Sequence, residues 1–285
     1  MNRLEISVAV FSLLLLGSCK KEFSVENGFD PNNPPLGNNC RLSSIISADS
    51  ATSVGLGSFN TRFDANLVAN QVDAYDSIQG ASVFNTALVS RGDTLRVSAN
   101  EYFLIGSNKR ALSFHSHVNP ADPTSNYIDF IYSYDGSGYL TKKEIFREGV
   151  AIPVVRYVYV WAGGNLASVD GSVVIPGQEA KLFSATMQYD STRTIRNFMP
   201  LFPDGYEHFT YDMAVDLGTR NRNPLLRIDA NYYDGSGNVN NTVTNLFSGH
   251  KYSADNYLLE CDVTGSTPVI STLLPGKNKF VYTCK

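Results

Sequence analysis

Aromatic and β-branched residues alternate with polar ones in short runs along most of this chain, and each run breaks at a Gly- or Asn-rich turn. In residues 127–134, Ile128, Phe130, Tyr132 and Tyr134 alternate with Asp129, Ile131 and Ser133. A period of two sends successive side chains to opposite faces of a strand, and such residues suit the half-buried surface that results. Asp135-Gly136-Ser137-Gly138 then supplies glycines that accept positive φ and a carboxylate that can bond nearby backbone. The chain reverses there and restarts at Tyr139 and Leu140. Residues 154–161 are apolar on both faces apart from Arg156, which predicts an inner strand covered on both sides. They turn at Ala162-Gly163-Gly164-Asn165 and return through residues 166–169.

The same phrase recurs: an aromatic, a polar or small residue, a Gly/Asn-rich turn, then Leu or Val. It stands at residues 63–67, 134–140, 161–166, 233–239 and 252–258. The uneven spacing argues for a meander of hairpins with insertions rather than a solenoid. Further strands are expected at residues 41–47, 58–63, 68–75, 81–89, 94–97, 111–118, 181–189, 225–233, 242–247, 251–263 and 280–284. Arg91-Gly92-Asp93 reads as a hairpin tip, where glycine and aspartate belong. One segment breaks the pattern. Asp204 and Glu207 resemble a capping box, Tyr206, Phe209, Met213 and Leu217 follow at helical spacing, and Gly218 suits a C-terminal cap. This predicts a short helix over residues 206–217.

The first 18 residues form an apolar run too short to span a bilayer, ending Leu16-Gly17-Ser18 before Cys19. Small residues directly before a cysteine resemble a bacterial lipoprotein signal, which makes Cys19 the lipidated first residue of the mature chain. Acyl chains would then hold the protein to a membrane. Residues 19–39, rich in Pro, Asn and Gly, read as a flexible tether. Lys20-Lys21-Glu22 partly resembles the signals that send some lipoproteins to the cell surface. Residues 40–285 are expected to form one β domain.

Composition narrows the function classes. The chain has 23 Lys+Arg against 27 Asp+Glu, a net charge of −4, and no basic run, so nucleic acid is not an expected partner. Sixteen Tyr and sixteen Phe favour sheet over helix bundle. Apart from Cys19, the cysteines are Cys40, Cys261 and Cys284. Cys261 and Cys284 lie in runs that read as neighbouring strands and are the favoured disulfide; Cys40 and Cys284, opening the first strand and closing the last, are the other pairing.

Candidate chemistry is sparse. His115 and His117 lie two apart on one strand face, but two imidazoles fall short of a zinc site, so no metal and no cofactor are expected. The serines of Gly136-Ser137-Gly138 and Gly235-Ser236-Gly237 lack the frame of a nucleophile elbow. Asp129, Asp135, Asp212 and Asp216 are the carboxylates a hydrolase would draw on, the alternative to a binding role. Tyr132, Tyr134, Tyr157, Tyr159 and Trp161 would form a ligand-stacking face if exposed and core if buried.

The Leu-Gly-Ser-Cys start, the Tyr-Asp-Gly-Ser-Gly-Tyr-Leu and Tyr-Ser-Ala-Asp-Asn-Tyr-Leu phrases and the Leu217-Gly218…Asn223-Pro224-Leu225 segment together resemble a Bacteroidota envelope lipoprotein family of unknown function. That family carries degenerate tyrosine–aspartate (YD-like) hairpin repeats. The resemblance implies a mostly β fold, an antiparallel meander curved into a sheet or porin-like partial barrel, and transfers no catalytic residue. The expected role is a non-enzymatic outer-membrane lipoprotein that binds a glycan or another envelope protein.

Overall fold

Each turn phrase reverses the chain, and the reversals accumulate into one continuous wall. A computed structural model describes residues 40–117, 124–196, 213–265, 273 and 275–285. The strands are β1 (Cys40–Ala48), β2 (Gly55–Phe63), β3 (Ala69–Asp76), β4 (Ala81–Ala87), β5 (Val89–Arg91), β6 (Thr94–Arg96), β7 (Tyr102–Ile105), β8 (Ala111–His117) and β9 (Tyr127–Tyr134). They continue as β10 (Leu140–Arg147), β11 (Val155–Ala162), β12 (Asn165–Ile175), β13 (Gln178–Tyr189), β14 (Leu225–Tyr233), β15 (Val239–Tyr252), β16 (Leu258–Gly265) and β17 (Gly276–Cys284).

Every strand pairs antiparallel with the next except β4 with β5, and β17 returns to pair with β1. β4 and β5 run on in one direction, broken only at Leu88, whose N–H still bonds the Asn70 carbonyl at 2.8 Å. Counted as one, they make the strand number even. An up-and-down sheet needs that parity to meet its own first strand antiparallel. The result is a nearly closed barrel of 17 strand segments.

The inner face of the wall is mainly apolar, with Lys143 buried against the Phe130 and Tyr157 rings, and the outer face mixes exposed aliphatics such as Leu112, Ile131 and Leu246 with ion pairs. One inward row runs across the register through Phe103, Phe114, Phe130, Ile145 and Val155, all buried. A second passes Tyr157, Gly171, Phe183 and Tyr232. Gly171 is required there: a Cβ would stand 2.6 Å from the Phe183 ring. Each fully buried ring or aliphatic side chain contributes about 1.5–3 kcal/mol. Outward positions carry cross-strand charge instead. Glu144 bonds Lys142 at 2.8 Å and Arg156 at 3.0 Å, Arg156 reaches Glu179 at 3.1 Å, and Lys181 meets Asp170 at 2.8 Å. Glu260 joins Lys251 at 2.7 Å and Lys277 at 3.4 Å.

Several expectations are corrected. The strand at residues 154–161 is covered on one side only, because Val158 and Val160 face solvent while Tyr157 and Tyr159 are buried. Residues 251–263 are not one strand: β15 ends at Tyr252, and the Tyr-Ser-Ala-Asp-Asn phrase turns the chain into β16. β7, only four residues long, was too short to read. Of the expected helix, residues 206–212 lie outside the described residues. Residues 213–217 are turn and bridge, with Asp216 paired to Arg110. The disulfide joins Cys40 to Cys284, not Cys261 to Cys284. Closure sets those two residues opposite each other on β1 and β17, whereas Cys261 lies opposite Asn278 and remains a buried free thiol.

Two outcomes follow. Reducing the Cys40–Cys284 bridge, which spans 244 residues, removes about 2–5 kcal/mol, read by chemical unfolding with and without reductant. Hydrogen bonding from Lys251, opposed by burial, holds the Glu260 carboxyl below its ordinary value. That stabilisation is present above the unfolded-state value and is lost as pH falls through the depressed folded one. Glu260→Gln therefore lowers stability at neutral pH and flattens the acid limb of a stability–pH curve below about pH 4.

Candidate functional site

Two of the aromatic residues in the repeated phrase, Tyr134 and Trp161, are structural clasps. Tyr132, Tyr157 and Tyr159 point inward and are buried, at 8%, 1% and 3% exposure, so they form core and no stacking face. Alternation decides this: they share strand faces with Phe130 and Val155. Tyr134 and Trp161 are half-buried and donate their polar hydrogens. Tyr134 OH donates to the Ala111 carbonyl and Trp161 Nε1 to the Leu140 carbonyl, each at 2.7 Å. Tyr189 OH and Tyr282 OH do the same to Leu166 and Leu258, each at 2.9 Å. In all four cases an aromatic at or near the end of one strand fastens a carbonyl at or next to the start of the strand before it.

The aspartate of the phrase caps the turn. Asp135 Oδ1 accepts the N–H groups of Ser137 and Tyr139, and Asp64 and Asp234 repeat the arrangement at their own turns. These clasps gather at the barrel end that carries Cys40 and Cys284. Residues 213–223 cross that end as a strap. Ala111 N–H bonds Asp216 O at 2.9 Å, Thr219 N–H bonds Gly138 O at 2.8 Å, and Arg222 N–H bonds Gly164 O at 2.9 Å. Asn221 Oδ1 accepts from Leu166 N–H at 2.8 Å. Met213, Ala214, Val215 and Leu217 are buried beneath it. Arg41 donates to Leu67 and Met213 carbonyls from inside; burial and Arg220 lower its guanidinium to about 10, which leaves it charged at neutral pH.

The remaining candidates are dispersed. His115 Nδ1 lies 2.7 Å from Asp129, and His117 Nδ1 lies 2.8 Å from the Ser125 carbonyl, to which it must donate. His250 is on β15, bonded to Leu225 O. No group of three His, Cys, Asp or Glu converges among the described residues. Asp216 Oδ1 accepts Gly218 N–H at 2.8 Å, so Asp129, Asp135 and Asp216 serve three separate local arrangements. Asp212 and Cys19 lie outside the described residues. Burial pushes the Cys261 thiol up to about 12, which leaves it unreactive at neutral pH.

With the wall and its closure in view, the fold can be compared. It is similar to that of a porin-like protein from Bacteroides uniformis, with a TM-score of 0.55 and 10% identity, over 86% of this chain and 96% of that one. A porin-like protein from Bacteroides vulgatus aligns with a TM-score of 0.49 and 13% identity, over 85% of this chain and 98% of that one. No protein-family model and no curated protein matches the sequence.

One opening in the wall had no place in the sequence reading. Beside β5 and β6, Ala87, Val89 and Val97 line a groove of about 460 Å³ together with Arg91 and Arg96. Arg91 belongs to the hairpin tip read as a bare turn, and Gly92 does hold a positive φ of 60° there. The signal that could have found the groove is Arg91 directly before a two-residue turn and Arg96 three residues after it, a spacing that puts both on one face of one strand pair.

The clasp is testable at Tyr189, whose hydroxyl makes two bonds. Tyr189→Phe strands the Leu166 carbonyl and loses a second contact to Asn221 at 3.3 Å, which should cost about 1–3 kcal/mol in an unfolding titration. An unchanged midpoint would mean that the hydroxyl bonds contribute nothing net.

Proposed function

We propose that this chain is a non-enzymatic, lipid-anchored protein of the outer membrane whose barrel is a scaffold for another envelope protein. The carrying observation is the make-up of the two wall faces: mainly rings and aliphatics inside, and cross-strand ion pairs among exposed aliphatics outside. A membrane-spanning barrel carries the opposite arrangement, an apolar outer band around a polar lumen. A wall coated with ion pairs favours water on its outer side, so attachment falls to acyl chains on Cys19 rather than to the strands. The porin-like name of a similar fold from Bacteroides agrees with an envelope setting. A protein partner is favoured over a glycan because three of the five rings that could have stacked on sugar are core.

The test uses the full chain expressed in a Bacteroides host. Wild type should fractionate with outer membranes, carry acyl mass on Cys19, leave liposomes no more permeable than empty ones, and co-purify with a defined envelope protein after cross-linking. Cys19→Ala should become soluble. Membrane retention of Cys19→Ala through a carbonate wash, or solute flux through reconstituted liposomes, would replace the tethered scaffold with a spanning wall.

A further inference from the structure

Beside β4 the ladder of the wall is interrupted. Among the described residues β4 pairs only with β3, while β6 pairs with β5 and β7 and ends at Arg96. Val97 N–H turns back to the Glu101 carbonyl at 2.9 Å, so the chain after β6 does not climb alongside β4. The second edge of β4, with the sequence Ala-Ser-Val-Phe-Asn-Thr-Ala, therefore lacks a strand neighbour. It carries no lysine, proline or charge of the kind that normally protects an edge, although one bulge interrupts its register opposite Ala74 and Tyr75.

At the lower end of this edge lies the groove, within the size range of ligand sites. Hairpin register brings its cations together. Val89 pairs with Arg96 and Arg91 with Thr94, so Val89, Arg91 and Arg96 share the outer face. Arg96 folds across the Tyr102 ring at 5.5 Å and donates from Nη1 to the Ala99 carbonyl at 3.1 Å. Its Nε is buried without an acceptor, an arrangement that costs free energy until an acceptor arrives. Neither arginine has an ion-pair partner among the described residues.

We propose that this groove receives an extended, acidic segment of a partner protein, added as a strand to the free edge of β4 with a carboxylate held by Arg91 and Arg96. Main-chain hydrogen bonds to β4 supply affinity in this mode, and side-chain pockets supply selectivity. Small apolar residues, Ala87, Val89 and Val97, leave room for alternate side chains of the incoming strand. The forked guanidiniums match a carboxylate and repel a basic strand. This inference rests on the scaffold reading and gives its partner a chemistry.

The test is fluorescence anisotropy of the full chain with a labelled ten-residue peptide of alternating valine and glutamate. Amide hydrogen exchange over residues 81–87 is measured in parallel. Binding is expected together with exchange protection in β4. It should weaken at least tenfold for the valine–lysine peptide and for the Arg91→Ala, Arg96→Ala double variant. Arg91→Glu, at an exposed side chain, gives the same loss should the double variant fold poorly. Absent binding, binding indifferent to both variants, or binding without β4 protection would overturn the proposal. Cross-linking keeps the two readings apart. If the double variant still captures the wild-type envelope partner, the groove assignment fails and the scaffold stands; if wild type captures none, the scaffold reading fails.

Discussion

The pairing of β17 with β1 is the contact on which the rest of the structure depends. A sheet that stays open exposes a row of unpaired backbone donors and acceptors at each end, whereas a sheet that meets itself removes both rows. Closure here demands an antiparallel seam, and the chain satisfies it by breaking one strand at Leu88 without reversing direction. The seam is then reinforced twice. Cys40 and Cys284 lock its outer end, and within the wall Ser47 Oγ donates to Asn278 Oδ1 at 2.7 Å, a polar pair fully buried in an apolar interior. Buried polar pairs of this kind add little net stability but punish a shifted register, because a slip of one residue strands both partners. The two ends of the sequence are thus held in one register by covalent and hydrogen-bonded means together.

Closure also explains why the repeated phrase looks as it does. Each hairpin needs a turn that reverses the chain and a link that fixes it to the hairpin already formed. Aspartate performs the first task, as Asp64, Asp135 and Asp234 show by accepting two turn N–H groups each. An aromatic near the strand end performs the second at four places, Tyr134 and Trp161 within the phrase and Tyr189 and Tyr282 outside it, by reaching back to a carbonyl near the start of the preceding strand. Tryptophan replaces tyrosine at residue 161 because only a donor at the end of a flat ring is required. The phrase was legible as architecture for this reason: both of its chemical features act within about two dozen residues, the range over which sequence pattern carries structural information.

What was not legible depends on contacts across the whole chain. Alternation in residues 127–134 marked two faces but could not say which would be enclosed, and Tyr132 looked as available as Tyr134. The disulfide was misread because strand adjacency near the C-terminus suggested Cys261, while only closure sets Cys40 opposite Cys284, far apart in sequence. The helical spacing of Tyr206, Phe209, Met213 and Leu217 misled at its described end. There Met213, Val215 and Leu217 are buried under a strap whose backbone bonds go to neighbouring turns rather than along a helix. Gly218 was expected as a helix cap. It instead adopts φ 95° against Gly138, where a Cβ would stand 2.4 Å from that residue's carbonyl oxygen. A periodic apolar pattern states that a segment has a buried side, and tertiary hydrogen bonds decide its conformation.

The likeness to a porin-like fold and the chemistry of the wall point in different directions, and the wall is the stronger guide to what the barrel does. Fold similarity at 10% identity shows the fold but not which face meets which solvent. Polarity does. The Lys142–Glu144–Arg156–Glu179 chain and the Lys251–Glu260–Lys277 group would each place several charges in hydrocarbon if the wall spanned a bilayer, whereas in water they are ordinary surface pairs. Inside, Phe103, Phe114, Phe130, Tyr157 and Phe183 fill the space that a channel would leave for solute. A strap of residues 213–223 bonded to three successive turns lies across one end. Strand closure, which in a pore creates a conduit, here encloses a core. What such a barrel turns to its surroundings is its outer surface, and among the described residues β4 has a strand on one side only.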